Sequence, residues 1–265
     1  KLIDGDRKNA CLCDPASGSG TLLVEVGKKM GIRGTELYGQ EVNWNLYALT
    51  KMNLMLNGFK DSTFFWGDSL SNPKLTDDGG LKRFDIVASI PPFADKWATE
   101  EAEFDRYGRF QYGIPPRSQA TWAYISHILA SLKPNGRAVV VVPAGVLFRT
   151  SESKIRHQII EHNLLEAVIE LPQNLFYGAA ISTAILVFRK DRKTTQTLFM
   201  DARKGYISNK GIYKLSDTMV EQLLNTYKGF LSGEQVWQEN SCPAYIATQE
   251  EVRNNKYDWQ TVKYV

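Results

Sequence analysis

The run Arg137-Ala138-Val139-Val140-Val141-Val142 constrains this chain more than any other segment. β-branched residues in a row, with no polar alternation, describe a strand covered on both faces. Such strands occur in parallel sheets with helices packed on each side. The preceding sequence agrees, because short apolar runs alternate with amphipathic stretches. Strands are expected at residues 10–13, 36–41, 62–66, 84–89 and 137–142. Helices are expected from Gly18-Ser19-Gly20 through Met30, and over 43–57, 119–132 and 152–163, each with apolar residues at helical spacing. The Lys133-Pro134-Asn135-Gly136 segment reads as the turn that ends the 119–132 helix. Residues 164–171 and 183–190 read as two further strands, and 217–227 as a helix. The fold class is therefore α/β, doubly wound and Rossmann-like, with a mainly parallel sheet. We divide the chain into a catalytic domain over 1–200 and a C-terminal extension over 201–265 that packs on the domain or contacts partner subunits.

Cys11, Cys13 and Cys242 are too few for a disulfide framework and suit a reducing cytoplasm. Cys11 and Cys13 lack zinc-knuckle spacing, and no metal site is expected. No apolar run is long enough to span a membrane. The net charge of +3 permits nucleic-acid contact without requiring it.

Chemistry gathers at the carboxyl ends of the expected strands, where ligands bind in open α/β sheets. Asp14-Pro15-Ala16-Ser17-Gly18-Ser19-Gly20 is a Gly-rich turn between the first strand and its helix. Glycines there let backbone approach a ligand closely. The third glycine of a dinucleotide fingerprint is replaced by Leu23, which disfavours nicotinamide or flavin. Asp14 would repel a pyrophosphate but attract the ammonium of an amino-acid-like cofactor. Glu41 ends the second strand, where an acid can bind ribose hydroxyls. Asp68, in Gly67-Asp68-Ser69 after the third strand, can accept from an adenine amine; a simple turn-forming role is the alternative.

The fourth strand runs into Ile90-Pro91-Pro92-Phe93. Two prolines and an aromatic make a rigid exit that can aim backbone carbonyls into the crevice. Here the chain resembles the amino-methyltransferases that act on adenine N6, whose motif is Asn, Asp or Ser followed by Pro-Pro and Phe or Tyr. Gly113-Ile114-Pro115-Pro116, His127-Ile128-Leu129, Leu132 with Gly136-Arg137, and Pro143-Ala144-Gly145-Val146-Leu147-Phe148 narrow the likeness. So do Leu171-Pro172-Gln173-Asn174-Leu175-Phe176-Tyr177, Ile185-Leu186 ahead of Lys190, and Tyr257-Asp258-Trp259. Together they resemble the modification subunit of type I restriction–modification systems. The likeness runs from Cys13 to Val265.

That resemblance implies S-adenosylmethionine as cofactor, bound by Asp14, Ala16, Ser17, Gly18, Gly20, Glu41, Asp68 and Ser69. It implies a catalytic segment at Ile90, Pro91, Pro92 and Phe93, with an extruded adenine stacked on the aromatic ring. It also implies a mainly parallel seven-stranded sheet whose 164–171 and 183–190 strands form an antiparallel edge pair. The implied partners are double-stranded DNA, a DNA-specificity subunit, a restriction subunit and a second copy of the modification subunit.

The chain departs from the family in two places. The family's Gly-x-Tyr/Phe-Thr-Pro segment before the first strand, and a helical domain before that, are not found in residues 1–9. Position 90 is Ile where the family carries a hydrogen-bonding residue, and its side chain has no acceptor. The loss of one aimed hydrogen bond predicts a rate lower by roughly 100- to 1000-fold. The expected chain is therefore an impaired adenine methyltransferase that still binds its cofactor. The alternative is a non-catalytic S-adenosylmethionine-binding scaffold. Methylation of a protein glutamine or an RNA base uses a similar motif, but the segments after the fifth strand favour the type I likeness.

His127, His157 and His162 show no catalytic or metal spacing. The 94–118 connection mixes Trp97, Tyr107, Phe110 and Tyr112 with Arg106, Arg109 and Arg117, and is long enough to be functional. Direct DNA contact there, and phosphate contact along the basic 189–214 stretch, are candidate roles.

Overall fold

A computed structural model describes residues 9–176, 181–209, 212–233 and 242–265. Tyr177 and the leading segment 1–8 lie outside them. The chain forms two compact units. One runs to Val140 and takes in Arg189–Asp191; the other comprises Val141–Phe188 and Arg192–Val265.

The first unit holds β1 (Leu12–Asp14), α1 (Thr21–Met30), β2 (Leu37–Glu41), α2 (Trp44–Leu56) and β3 (Thr63–Trp66). After a small hairpin of β4 (Thr76–Asp77) and β5 (Gly80–Leu81) come β6 (Phe84–Ser89), the short α3 (Glu100–Glu103) and α4 (Ala120–Ala130). β7 (Leu132–Pro143) then carries the chain into the second unit. Strand order is β7-β6-β1-β2-β3, and every pairing in it is parallel. Winding proceeds outward from β1 through β2 to β3, then restarts on the other side at β6. The carboxyl ends of β1 and β6 therefore flank the switch point, the usual place for a ligand crevice.

Local chemistry sets these boundaries. Asn43 caps α2 by accepting from the Asn45 and Leu46 amides, and α1 ends on Gly31 in the left-handed region. Leu23 and Val24 of α1 pack with Leu12, Leu37 and Ile86 in one cluster. The expected turn at 133–136 is absorbed into β7. Leu132 already pairs with Phe84, yet Arg137 pairs with Ile86. The extra residues form an irregularity in the ladder, so the polar segment loops out without ending the strand.

The second unit contains α5 (Ser153–Glu161), β8 (Leu165–Glu170), β9 (Thr183–Arg189), β10 (Thr197–Asp201), β11 (Tyr206–Asn209) and β12 (Ile212–Leu215). α6 (Asp217–Ser232), β13 (Ala244–Ala247) and α7 (Gln249–Asn254) follow. β8 and β9 pair antiparallel, as expected. The sheet does not stop at β8, however. β10 adds in parallel and β13 closes the edge antiparallel. Among the described residues the strands thus exceed the implied seven, because β10, which ends at Asp201, and β13, from the tail, add to the sheet.

The 201–265 tail lies in the same compact unit as Val141–Phe188. Trp259 is fully buried, and Tyr264 stacks on Phe199 at 3.8 Å. Arg156, only 2% exposed, clamps the tail with donations to the Tyr257, Val146 and Arg149 carbonyls at 2.8, 3.2 and 2.9 Å. Among the described residues no helix is long and apolar enough to cross a membrane. Replacing Arg156 by Met removes the guanidinium donor from the Tyr257 and Val146 carbonyls, while the Arg149 carbonyl keeps the Glu152 amide. Arg156→Met should cost about 2–4 kcal/mol in urea unfolding; a loss below about 0.5 kcal/mol would show the clamp to be dispensable.

Candidate active site

All twelve site residues expected from the sequence fall in the first unit, at the carboxyl ends of its strands. Asp14 ends β1 and is 1% exposed. Its Oδ1 accepts from the Ala16 amide at 3.0 Å and from Ser89 Oγ at 2.7 Å. Ser89 is the last residue of β6, directly before Ile90. One hydrogen bond therefore joins the Gly-rich turn to the Pro-Pro segment.

The turn is held open from behind. Ser17 donates its hydroxyl to the Asp14 carbonyl at 2.7 Å and its amide to Gln40 O at 3.2 Å. Thr50 Oγ1 and Asn53 Nδ2 of α2 donate to the Gly18 and Ser19 carbonyls at 2.6 and 3.1 Å. Gly20 has φ +74°, and a Cβ there would sit 2.5 Å from Thr50 Cγ2. Gly18 also has positive φ, but a Cβ on it would meet nothing within 4 Å. The open side above Gly18 is where a ligand can approach backbone.

Glu41, 7% exposed, ends β2. Its Oε2 accepts from the Gly18 amide and its Oε1 from the Asn43 amide, both at 2.8 Å. These bonds fix the carboxylate at the rim of the turn while leaving lone pairs for hydroxyl donors. Asp68 accepts from the Leu70 amide at 2.8 Å and from Ser71 Oγ at 3.0 Å. Ser69 ties that turn to the first one, donating its hydroxyl to Pro15 O at 2.6 Å. No ion pair among the described residues uses Asp14, Glu41 or Asp68.

Electrostatics mark the same crevice. Burial pushes the Asp14 carboxyl up to about 7; the Ser89 and Ala16 bonds oppose it, and Glu41 adds to it. Burial also raises the Tyr124 hydroxyl of α4 above the tyrosine range, with Asp68, Glu41, Asp95 and Asp14 contributing in that order. The carboxylates thus converge on one wall of the crevice, and as acceptors they suit an ammonium and sugar hydroxyls.

On the β6 side Pro91 is buried, while Ile90, Pro92 and Phe93 are half-buried. Thr121 Oγ1 donates to Pro92 O at 3.0 Å, anchoring the segment to α4. Ile90 presents no polar side-chain atom toward the space beside Asp14 and Ser89.

Several expectations change. In the 94–118 connection Trp97, Arg109 and Tyr112 are buried, so they build the loop and do not offer themselves to DNA. Arg106 and Arg117 remain exposed. In the basic stretch, Arg189 and Arg203 pair with Asp191 and Asp201, and Arg192 holds the Leu165 and Gln196 carbonyls. Much of its charge is spent internally. His127 is buried, and burial with the Arg109 cation pulls it down to about 3, leaving a neutral packing group. His157 and His162 belong to the second unit. Sequence reasoning missed Ser89 and Thr50, and named Arg109 only among candidate DNA contacts. Ser89 was visible as a polar residue closing an apolar strand; Thr50 and Arg109 gave no local signal.

Known proteins resemble this chain over its whole length. The N-6 DNA Methylase family matches residues 1–265. The type I restriction enzyme MpnII methylase subunit of Mycoplasma pneumoniae is 30% identical over 95% of this chain and 48% of its own length. The MjaVIII methylase subunit of Methanocaldococcus jannaschii is 31% identical over 96% of this chain and 45% of its own. This chain thus spans about half the length of those relatives. The crystal structure of a type I restriction-modification methyltransferase subunit from Streptococcus thermophilus superposes with TM-score 0.87, at 30% identity, covering 98% of this chain and 55% of that one. The chain belongs to the N-6 DNA methylase family and is similar to the methylase subunits of type I restriction enzymes.

Proposed function

We propose that this chain binds S-adenosylmethionine, the cofactor consistent with its family, in the β1–β6 crevice, and is built to methylate adenine N6 in double-stranded DNA. The observation that carries the reading is the Ser89–Asp14 bond of 2.7 Å, which sets the Pro-Pro-Phe segment against an acidic, open-sided Gly turn. Asp14 faces the cofactor's ammonium, and Ala16, Ser17, Gly18 and Gly20 present backbone to its amino-acid end. Glu41 takes the ribose hydroxyls; Asp68 and Ser69 border the adenine. Bound there, the cofactor supplies an electrophilic methyl group. The chain's own residues position the acceptor: Phe93 stacks on the extruded base, and a backbone carbonyl of the Pro-Pro segment accepts from the N6 amine. In that geometry an Asn at position 90 would accept the second N6 hydrogen. Ile90 cannot, so transfer by this chain is impaired. The parent protein acts in the cytoplasm, with a DNA-specificity subunit, a restriction subunit and a second modification subunit as partners.

Ile90 also favours a second reading, a scaffold that binds S-adenosylmethionine without transferring its methyl group. Two tests follow, the first separating these readings and the second testing the cofactor site they share. The first places the full-length subunit, with its specificity partner, in a host free of N6-methyladenine and maps methylation. Ile90→Asn should raise methylation at a defined motif by about 100- to 1000-fold in rate. Silence with both residues supports the scaffold; equal methylation with both refutes the role given to position 90. The second test follows cofactor affinity against pH. The Asp14 carboxyl, pushed up to about 7 in the free protein, is protonated below that value, and only its carboxylate pairs with an ammonium. Affinity should climb as pH rises toward 7 and level off above it, with proton release on binding in the lower range. Calorimetry in buffers of different ionisation enthalpy reads this directly, and Asp14→Asn should flatten the profile. A flat wild-type profile would contradict the ammonium assignment.

A further inference from the structure

Arg109 lies in the connection that follows the Pro-Pro-Phe segment, yet it is 3% exposed. A buried cation survives only when its donors are matched. Its Nε donates to Asp105 Oδ1 at 2.7 Å, and its backbone amide donates to Asp105 Oδ2 at 2.6 Å. Its Nη1 reaches across to a different turn, donating to Leu70 O at 2.7 Å and Ser69 O at 3.3 Å. The guanidinium also lies 5.2 Å from the Phe110 ring, which stacks on Trp97 at 5.0 Å. Trp97 closes the connection on itself, donating its amide to Arg117 O and its indole N–H to Pro116 O. Leu70 packs in the same apolar cluster as Trp97 and Tyr124.

Leu70 is held at both of its backbone groups. Its N–H donates to Asp68 Oδ1 at 2.8 Å, while its carbonyl accepts from Arg109. A ligand amine that engages the Asp68 carboxylate does so beside the Leu70 N–H, on the turn that Arg109 grips. Beside this grip lies a cavity of ≈ 200 Å³, lined by Ser71, Asn72 and Pro73 of the turn and by the 104–107 segment and Arg109 of the connection. The connection has room to shift there, and Arg109 is the polar link that a shift must pull on.

We propose that Arg109 is a positioning residue that couples cofactor occupancy at the Asp68-Ser69-Leu70 turn to the order of the 94–118 connection, and through it to the adjoining base-binding segment. The proposal rests on the cofactor assignment made above for that turn. A lysine would keep the charge but supply a single point donor in place of the fork that serves both Asp105 and the Leu70 carbonyl.

Hydrogen exchange read by mass spectrometry, with and without saturating S-adenosylmethionine, tests this in the 265-residue chain. In the wild type the cofactor should slow exchange in both the 67–72 turn and the 94–118 connection. In Arg109→Lys the turn should still respond, the response of the connection should vanish, and cofactor affinity should fall by about 5- to 30-fold. A merely structural arginine would loosen the connection equally with and without cofactor, leaving the difference intact. Asp105→Asn, which keeps the arginine and weakens its orientation, should show a partial loss of the same difference, and decides the matter if Arg109→Lys folds poorly. An undiminished response of the connection in both variants overturns the proposal, as does a wild-type connection that ignores a cofactor protecting the turn. If the turn itself shows no protection, the cofactor assignment fails and the coupling falls with it.

Discussion

A buried carboxylate between two neighbouring parallel strands organises this site. Asp14 closes β1, Ser89 closes β6, and the hydrogen bond between them spans the point where the winding of the sheet reverses. An ionised carboxylate in that position is costly, which is why burial lifts the Asp14 carboxyl to about 7. The crevice is therefore poised for a cation that restores the charge balance. Every other feature is arranged about this one: Glu41 steadies the Gly turn from β2, Ser69 ties in the turn after β3, and the Pro-Pro-Phe segment leaves β6 one residue beyond Ser89.

The core of this arrangement was legible in the sequence because it depends on local signals. A Gly-rich turn after an apolar strand, an acid at the end of the next strand and a Pro-Pro-aromatic exit each declare their place without tertiary information. β10 and β13 did not, because short runs such as Ala244-Tyr245-Ile246-Ala247 acquire strand identity only by pairing with a neighbour. The 133–136 turn was recognised as a break in pattern but misjudged as a break in structure. The ladder between β6 and β7 tolerates the extra residues by shifting register.

The buried polar residues were hardest to read. Arg109 and Arg106 are three positions apart in the same charged loop, and nothing in their spacing says that one is buried and the other exposed. The difference arises from partners distant in sequence, the Ser69 and Leu70 carbonyls. Arg156 repeats the lesson in the second unit, where its acceptors are backbone groups that include Tyr257 O near the chain's end. In both cases a long planar cation reaches backbone carbonyls of a segment distant in sequence.

The account separates two capacities that the family ordinarily joins. On the proposed reading, cofactor binding depends on Asp14, the Gly turn, Glu41 and Asp68, and transfer depends additionally on an acceptor at position 90, which isoleucine lacks. Calorimetric titration of S-adenosylmethionine into the chain as it stands, and into its Ile90→Asn counterpart, tests that separation most directly. The account predicts single-site binding to both, with affinities agreeing within about threefold, or under 1 kcal/mol. Absence of binding to the Ile90 chain, with binding restored by Asn, would contradict it and place position 90 within the cofactor site itself.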